Sequence, residues 1–263
     1  MSSRLGRVAK EDLLFALELA DRADATTMGF FGAVKLQTER KANGSPVSEA
    51  DRAVERVLLD LIAATRPGHS VLSEEAGAVG EGDWRWIIDP IDGTSSFIRG
   101  GAMWGTGLAL EFEGRLVVGV FTQPSRRRRW WAAAGMGAWT GRGTRLNVSP
   151  VGRLSDACLV EDYGRRVSRW ARAHPANRLA SICQTSRPTR GWPLHALVAN
   201  GSIDVALQCG AHSWDLAPWK VIVEEAGGCF TDMEGGTGVF GGAGLTTNGR
   251  LHDQALACLS TSI

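Results

Sequence analysis

The segment with the most chemistry in it is Trp86-Ile87-Ile88-Asp89-Pro90-Ile91-Asp92-Gly93-Thr94. An apolar run delivers Asp89 to a turn containing Pro90 and Gly93, and Asp92 follows three residues after Asp89. Two carboxylates that close, at the end of a strand, can share one or two hard cations. Mg2+ takes oxygen ligands at about 2.1 Å and keeps waters that a substrate can replace. The plain alternative is an Asx turn in which an aspartate caps the following helix. Other acids stand in similar places. Ser73-Glu74-Glu75 follows the apolar Val71-Leu72 and reads as a strand end or as a solvated turn. Trp214-Asp215 opens a late helix, where Asp215 also suits an N-terminal cap. Ser48-x-x-Asp51 has the spacing of a capping box, with Asp where Glu or Gln is usual.

These acids need elements to hold them. Glu11, Asp12 and the helically spaced Leu13, Leu17 and Ala20 predict a helix over residues 10–34. Residues 41–46 are polar and rich in breakers, which predicts a loop or hairpin turn. Val54, Val57, Leu58 and Leu61 predict a helix over 48–65, stopped by Arg66-Pro67-Gly68. Trp84 to Ile88 reads as a strand, and 106–121 as a hairpin around Glu113-Gly114. Trp130 to Ala134 is another strand. Strands near 157–161 and 203–208 alternate with helices near 192–200 and 214–226, the last ending at Gly227-Gly228. The pattern predicts two subdomains, 1–148 and 149–263. Gly235 to Gly244 lacks the strand-to-helix setting of a phosphate loop and reads as a loop between late strands.

Composition narrows the function classes. The 29 Lys+Arg and 28 Asp+Glu of this 263-residue chain nearly cancel, leaving +1 and no broad field for nucleic acid. No apolar run approaches the roughly 20 residues that span a bilayer, and residues 1–10 carry no signal-type segment. Five widely spaced cysteines, with no CxxC pair, read as buried reduced thiols in a cytoplasmic protein. Arg126 to Arg129, beside Trp130 and Trp131, could stack on RNA, could reach a subunit interface, or could be a solvated turn entering a buried strand. The histidines show no metal-binding spacing. His69, His174 and His252 read as surface residues, and His195 and His212 as candidates for lining a pocket.

The order Ser73-Glu74-Glu75, then Asp89-Pro90-Ile91-Asp92-Gly93-Thr94, then Trp214-Asp215 with Glu225-Ala226-Gly227-Gly228, resembles the inositol monophosphatase superfamily of Mg2+-dependent phosphatases. Within it, Arg128-Arg129-Trp130-Trp131-Ala132-Ala133 and Thr247-Asn248-Gly249-Arg250-Leu251-His252-Asp253 are similar to actinobacterial histidinol-phosphate phosphatases. The resemblance implies an α/β fold, an alternately layered αβαβα sandwich with two β-sheets, and a homodimer. It implies that Glu74, Asp89 and the carbonyl of Ile91 hold a first Mg2+, and Asp89, Asp92 and Asp215 a second. Asp51 and Thr94 would polarise the attacking water, with Glu74 also in the catalytic set. The N–H groups of Gly93 and Thr94 would grip the phosphate.

The chain departs from that pattern in four places. Asn43 stands where the family usually has an acid, so two Mg2+ ions, or two and a weakly held third, are expected. Ser73 replaces a Gly, and Ser95-Ser96 replace Lys-Asn. The segment Ser186 to Trp192 lacks the relatives' acid and brings Arg187, Arg190 and Trp192, and Gln208 replaces a Glu. Ser95, Arg187, Arg190, Trp192 and Gln208 are therefore the expected substrate-binding residues. Two lost acids weaken a cationic substrate, since each opposite-charge contact contributes about 1.5–3 kcal/mol. Glu161 and Asp162 are near enough in sequence to compensate. A sugar, cyclitol or nucleoside monophosphate is the expected small-molecule phosphate ester, with no nucleic acid or membrane partner. Histidinol phosphate is the alternative substrate. A non-catalytic protein that only holds phosphate ligands is the further alternative.

Overall fold

A computed structural model describes residues 2–163, 176–189 and 193–260. The chain divides into two compact units, Met1–Met136 and Gly137–Ile263. Residues 137–148 fall in the second unit. Gly137 N–H donates to Glu225 at 2.8 Å and Val148 N–H to the Ala226 carbonyl at 3.2 Å.

The first unit contains α1 (Ser2–Phe30), β1 (Thr38–Arg40), β2 (Pro46–Ser48), α2 (Glu49–Thr65), β3 (Ser70–Ser73), β4 (Gly77–Val79), β5 (Trp84–Asp92), α3 (Thr94–Ile98), β6 (Gly105–Phe112), β7 (Arg115–Gln123) and β8 (Arg128–Ala133). Strands β1 and β2 pair with each other, and the main sheet carries the order β4-β3-β5-β6-β7-β8. Within it β3 and β5 run parallel, and the other neighbouring pairs are antiparallel. Helices α1 and α2 cover one face, with Leu19, Ala20, Val54, Leu58, Trp86, Ile88, Leu108 and Val118 in a common core. Helix α1 ends at Phe30 rather than 34, because Gly32 turns left-handed at φ +80°. It begins at Ser2 rather than 10. On α2 the buried stripe is Val54, Leu58 and Ile62, with the acid Glu55 among them, whereas Val57 and Leu61 are half-buried.

The second unit contains β9 (Ala138–Thr140), β10 (Cys158–Asp162), α4 (Ala176–Ile182), β11 (Thr185–Pro188), α5 (Leu194–Ala199), β12 (Val205–Cys209), α6 (Ser213–Glu225), β13 (Cys229–Thr231), β14 (Ala243–Thr247) and α7 (His252–Ser260). Its sheet order is β11-β10-β12-β14-β13, with β10 parallel to both neighbours. Leu159, Leu179, Val205, Leu207, Leu245, Leu251 and Ala255 form the core toward α4 and α7. All five cysteines are free thiols.

Two histidines correct the surface reading. His69 is half-buried, stacked on Trp84 and accepting the Trp86 indole N–H at 3.1 Å. His252 is 5% exposed, between the Thr231 and Thr247 hydroxyls. His174 lies outside the described residues. In the arginine run, Arg129 pairs with Asp21 and Asp24 of α1, while Arg126, Arg127 and Arg128 are exposed. Among the described residues no helix is long and apolar enough to cross a membrane.

Candidate active site

Strands β3 and β5 set the arrangement. Ser73 pairs with Ile88, so the next residues, Glu74 and Asp89, leave two adjacent parallel strands side by side. The Glu74 N–H donates to the Ile88 carbonyl at 3.2 Å, which fastens the β3–β4 turn to β5. Carboxyl ends of parallel strands are where α/β proteins place ligands, because the loops there can diverge.

Asp89 and Asp92 are three residues apart and would face opposite sides of a regular strand. The register breaks between them: Asp89 pairs with Gly107 and Asp92 with Gly105, so the β5 side carries one residue too many. That bulge restores the phase. Asp89, buried at 1% exposure, and the half-buried Asp92 each turn a carboxylate oxygen to within 4.8 Å of the other's. Pro90 fits here because a bulge does not require its missing N–H. Its carbonyl accepts the Thr106 hydroxyl at 2.8 Å.

After Asp92 the chain must turn sharply. Gly93 has φ +86°, and a Cβ there would stand 2.6 Å from the Met103 carbonyl oxygen, so the position admits only glycine. Thr94 then starts α3. Its hydroxyl lies 3.0 Å from the Ile91 carbonyl and 3.1 Å from Asp51 Oδ1 and can donate to either.

Asp51 comes from the first turn of α2. Its Oδ2 accepts the Ser48 N–H at 2.8 Å and the Ser48 hydroxyl at 2.6 Å, which is the capping box expected from the spacing. With Oδ2 occupied, Oδ1 is aimed at Thr94. Burial raises the Asp51 carboxyl above its usual value, against the bonds from Ser48 and Thr94, and the charge of Glu74 adds to the rise.

Lys41, in the turn of the β1–β2 hairpin, bridges Glu74 at 2.7 Å and Glu75 at 2.5 Å. Burial lowers the Lys41 pKa, but its bonds to the two glutamates outweigh that and hold it above the usual lysine value. The sequence reading missed Lys41 as a site residue, since nothing local signals a contact across 33 positions. Asn43 in the same turn uses Oδ1 locally, accepting the Ser45 N–H at 2.9 Å and its hydroxyl at 2.6 Å.

The first unit thus brings together Asp51, Glu74, Asp89, Ile91, Asp92, Gly93 and Thr94, with Ser95 in the first turn of α3. These donors are all oxygens, two of them paired carboxylates on one bulge, and that set fits a hard divalent cation and not a thiolate-preferring one.

In the second unit, Asp215 sits in the first turn of α6 and accepts the His212 N–H at 2.7 Å. Gln208 is near the end of β12, half-buried, in register with Asp162 and Gly244. His195 of α5 locks it: Nε2 is 2.7 Å from Gln208 Oε1, and Nδ1 is 2.9 Å from the Thr246 hydroxyl. With Oε1 accepting from Nε2–H, Gln208 turns its NH2 away from the histidine. His195 therefore holds a candidate pocket residue from below, whereas His212 is exposed and stacked on Trp214. In-register neighbours share a face and successive residues alternate. Asp162 and Arg187 therefore fall on the Gln208 face, and Glu161 on the other. Glu161 is buried there with its oxygens taken by the Tyr163 and Ser186 hydroxyls, so it does not replace a lost acid. Arg190 and Trp192 lie outside the described residues.

Comparison with known proteins adds to this. The model of the inositol monophosphatase family matches residues 9–262. A Mycobacterium tuberculosis protein described as histidinol-phosphatase is 40% identical, over 96% of this chain and 99% of its own. A Streptomyces coelicolor histidinol-phosphatase is also 40% identical, over 95% of this chain and 97% of its own. Among solved structures, the Thermotoga maritima IMPase superposes with a TM-score of 0.81 at 28% identity, covering 95% of this chain and 96% of that one.

Proposed function

We propose, from the premise that this chain belongs to the inositol monophosphatase family of metal-dependent phosphatases, that it releases phosphate from a small phosphorylated alcohol with Mg2+ as the metal. The observation that carries the reading is the β5 bulge, which sets Asp89 beside Asp92 at the same strand end as Glu74. Glu74, Asp89 and the Ile91 carbonyl would hold one ion. Asp89 and Asp92 would hold a second, to which the family pattern adds Asp215. Bound there, Mg2+ neutralises phosphate charge and lowers the pKa of a coordinated water.

The chain's own groups do the rest. Thr94 Oγ1 donates its proton to Asp51 Oδ1 and offers a lone pair to the attacking water, so a proton leaving that water has a path toward Asp51. Gly93 and Thr94 offer their amides to phosphate oxygens. Ser95 borders that cradle. Asn43 is neutral and already engaged with Ser45, which supports two ions with a third held weakly at most. A homodimer and a cytoplasmic setting belong to the same reading, the first by family resemblance and the second from the free thiols.

In the second unit, Gln208 offers a neutral donor and Arg187 a cation on the same sheet face, and Arg190 and Trp192 belong to the expected pocket by sequence alone. That balance supports a sugar, cyclitol or nucleoside monophosphate. Histidinol phosphate is the second reading, favoured by the two 40% identical relatives and by Asp162 beside Gln208. A panel of these esters with free-phosphate readout decides. Fast turnover confined to histidinol phosphate overturns the first reading. No Mg2+-dependent release from any ester, nor from p-nitrophenyl phosphate, overturns both in favour of a phosphate-binding protein.

A further inference from the structure

The turn that carries Glu74 is suspended from a residue that takes no part in the chemistry above. Glu55 lies one helical turn after Asp51 on α2 and is 7% exposed. A single oxygen, Oε1, accepts three donors: the Ser73 hydroxyl, the Glu75 N–H at 3.2 Å and the Ala76 N–H at 2.9 Å. Those donors flank Glu74 on both sides, and Glu74's own N–H goes to Ile88 at 3.2 Å. The backbone around Glu74 is therefore fixed at every donor, by α2 on one side and β5 on the other. Ser73 is fully buried, so its hydroxyl needs this partner. Residues i and i+4 share a helix face, so α2 holds Asp51 with one turn and the Glu74 turn with the next.

We propose that Glu55 and Ser73 are positioning residues that set the Glu74 carboxylate for metal and fix its place relative to Asp51. The proposal rests on the assignment of Glu74 as a metal ligand made above. A carboxylate at position 55 makes each of these bonds charge-assisted, and a glutamine can still present Oε1 to the same donors. An alanine leaves three donors around Glu74 without their partner, two of them backbone amides in a tight turn.

Groups that orient a metal ligand typically account for a 10–100-fold difference in metal affinity. The test is direct Mn2+ binding to the whole protein, followed by the electron paramagnetic resonance of free Mn2+, with melting in chelator recorded alongside. Glu55→Ala should weaken Mn2+ binding about 10–100-fold and raise the Mg2+ needed for half-maximal activity in parallel. Glu55→Gln should restore binding to within a few-fold of the parent, and Ser73→Ala should fall between the two. If Glu55→Ala does not fold, Ser73→Ala carries the test alone. A purely structural role lowers the melting temperature and leaves Mn2+ affinity of the folded protein unchanged; that result, for whichever of the two variants folds, overturns the inference. Glu74→Gln separates the two levels. If it loses Mn2+ while the Glu55 and Ser73 variants keep it, the positioning role fails and the ligand assignment stands. If Glu74→Gln itself binds normally, the assignment fails and takes the inference with it.

Discussion

His195 allows a prediction whose size follows from its surroundings. The ring is 2% exposed, and both nitrogens meet neutral partners, Gln208 and Thr246. Burial pushes the imidazole from 6.5 down to about 4, with the Gln208 bond opposing. The folded ring is neutral at pH 7, while the unfolded chain takes up the proton first as the solution is acidified. Its contribution is therefore complete above about pH 6.5 and is lost as pH falls toward 4. Linkage between those two values gives a loss of roughly 2 kcal/mol from pH 7 to pH 5 for this group alone. That is a large part of a total stability of about 5–15 kcal/mol. Urea unfolding of the parent and of His195→Gln at pH 7, 6 and 5 measures it. The variant loses packing at every pH, so the informative quantity is the change with pH. The parent should lose about 2 kcal/mol more than the variant across that interval. Parallel slopes, or an imidazole resonance titrating near the ordinary histidine value, would refute the reasoning.

Three further outcomes concern the bulge and its turn. Asp92→Asn should lower Mg2+-dependent phosphate release by on the order of 100-fold or more, because several kcal/mol of charge stabilisation in the transition state is at stake. Gly93→Ala should cost about 1–3 kcal/mol of stability through left-handed strain, and more if the Met103 carbonyl cannot retreat from the new Cβ; thermal melting reads it. Thr94→Ser should keep most of the turnover and Thr94→Ala should lose on the order of 100-fold, with little change in KM, if the hydroxyl serves the attacking water.

How much of this was legible in the sequence varied with the range of the interaction. Local signals held. The capping box at Ser48 and Asp51, the β6–β7 turn at Glu113-Gly114 and the stop at Gly227 all follow from near neighbours. Asp89-Pro90-Ile91-Asp92-Gly93-Thr94 announced paired acids, but not the device that pairs them. A register shift is a property of two strands, and the sequence of β5 alone does not contain it. Lys41 and Glu55 were missed for a related reason. Each meets the Glu74 turn across a long stretch of chain, and an acid inside an apolar helix stripe is ordinarily read as an interruption of that stripe. His252 was misjudged because polar residues such as Arg250, Asp253 and Gln254 surround it in sequence alongside Leu251, whereas its partners in space are threonines from β13 and β14. Glu161 and Asp162 are adjacent in a strand and so lie on opposite faces, but only the sheet register shows which of them shares the Gln208 face.

The His195–Gln208 contact also bears on how this pocket could drift over evolutionary time. One nucleotide change converts a glutamine codon to glutamate. Here the new carboxylate would stand directly above an imidazole ready to become its counter-ion, so the acid would arrive already neutralised. A lineage moving toward positively charged substrates gains little from that step by itself. It would first have to replace the histidine, or rely on Asp162 one strand over, and the order in which such changes can accumulate is thereby restricted.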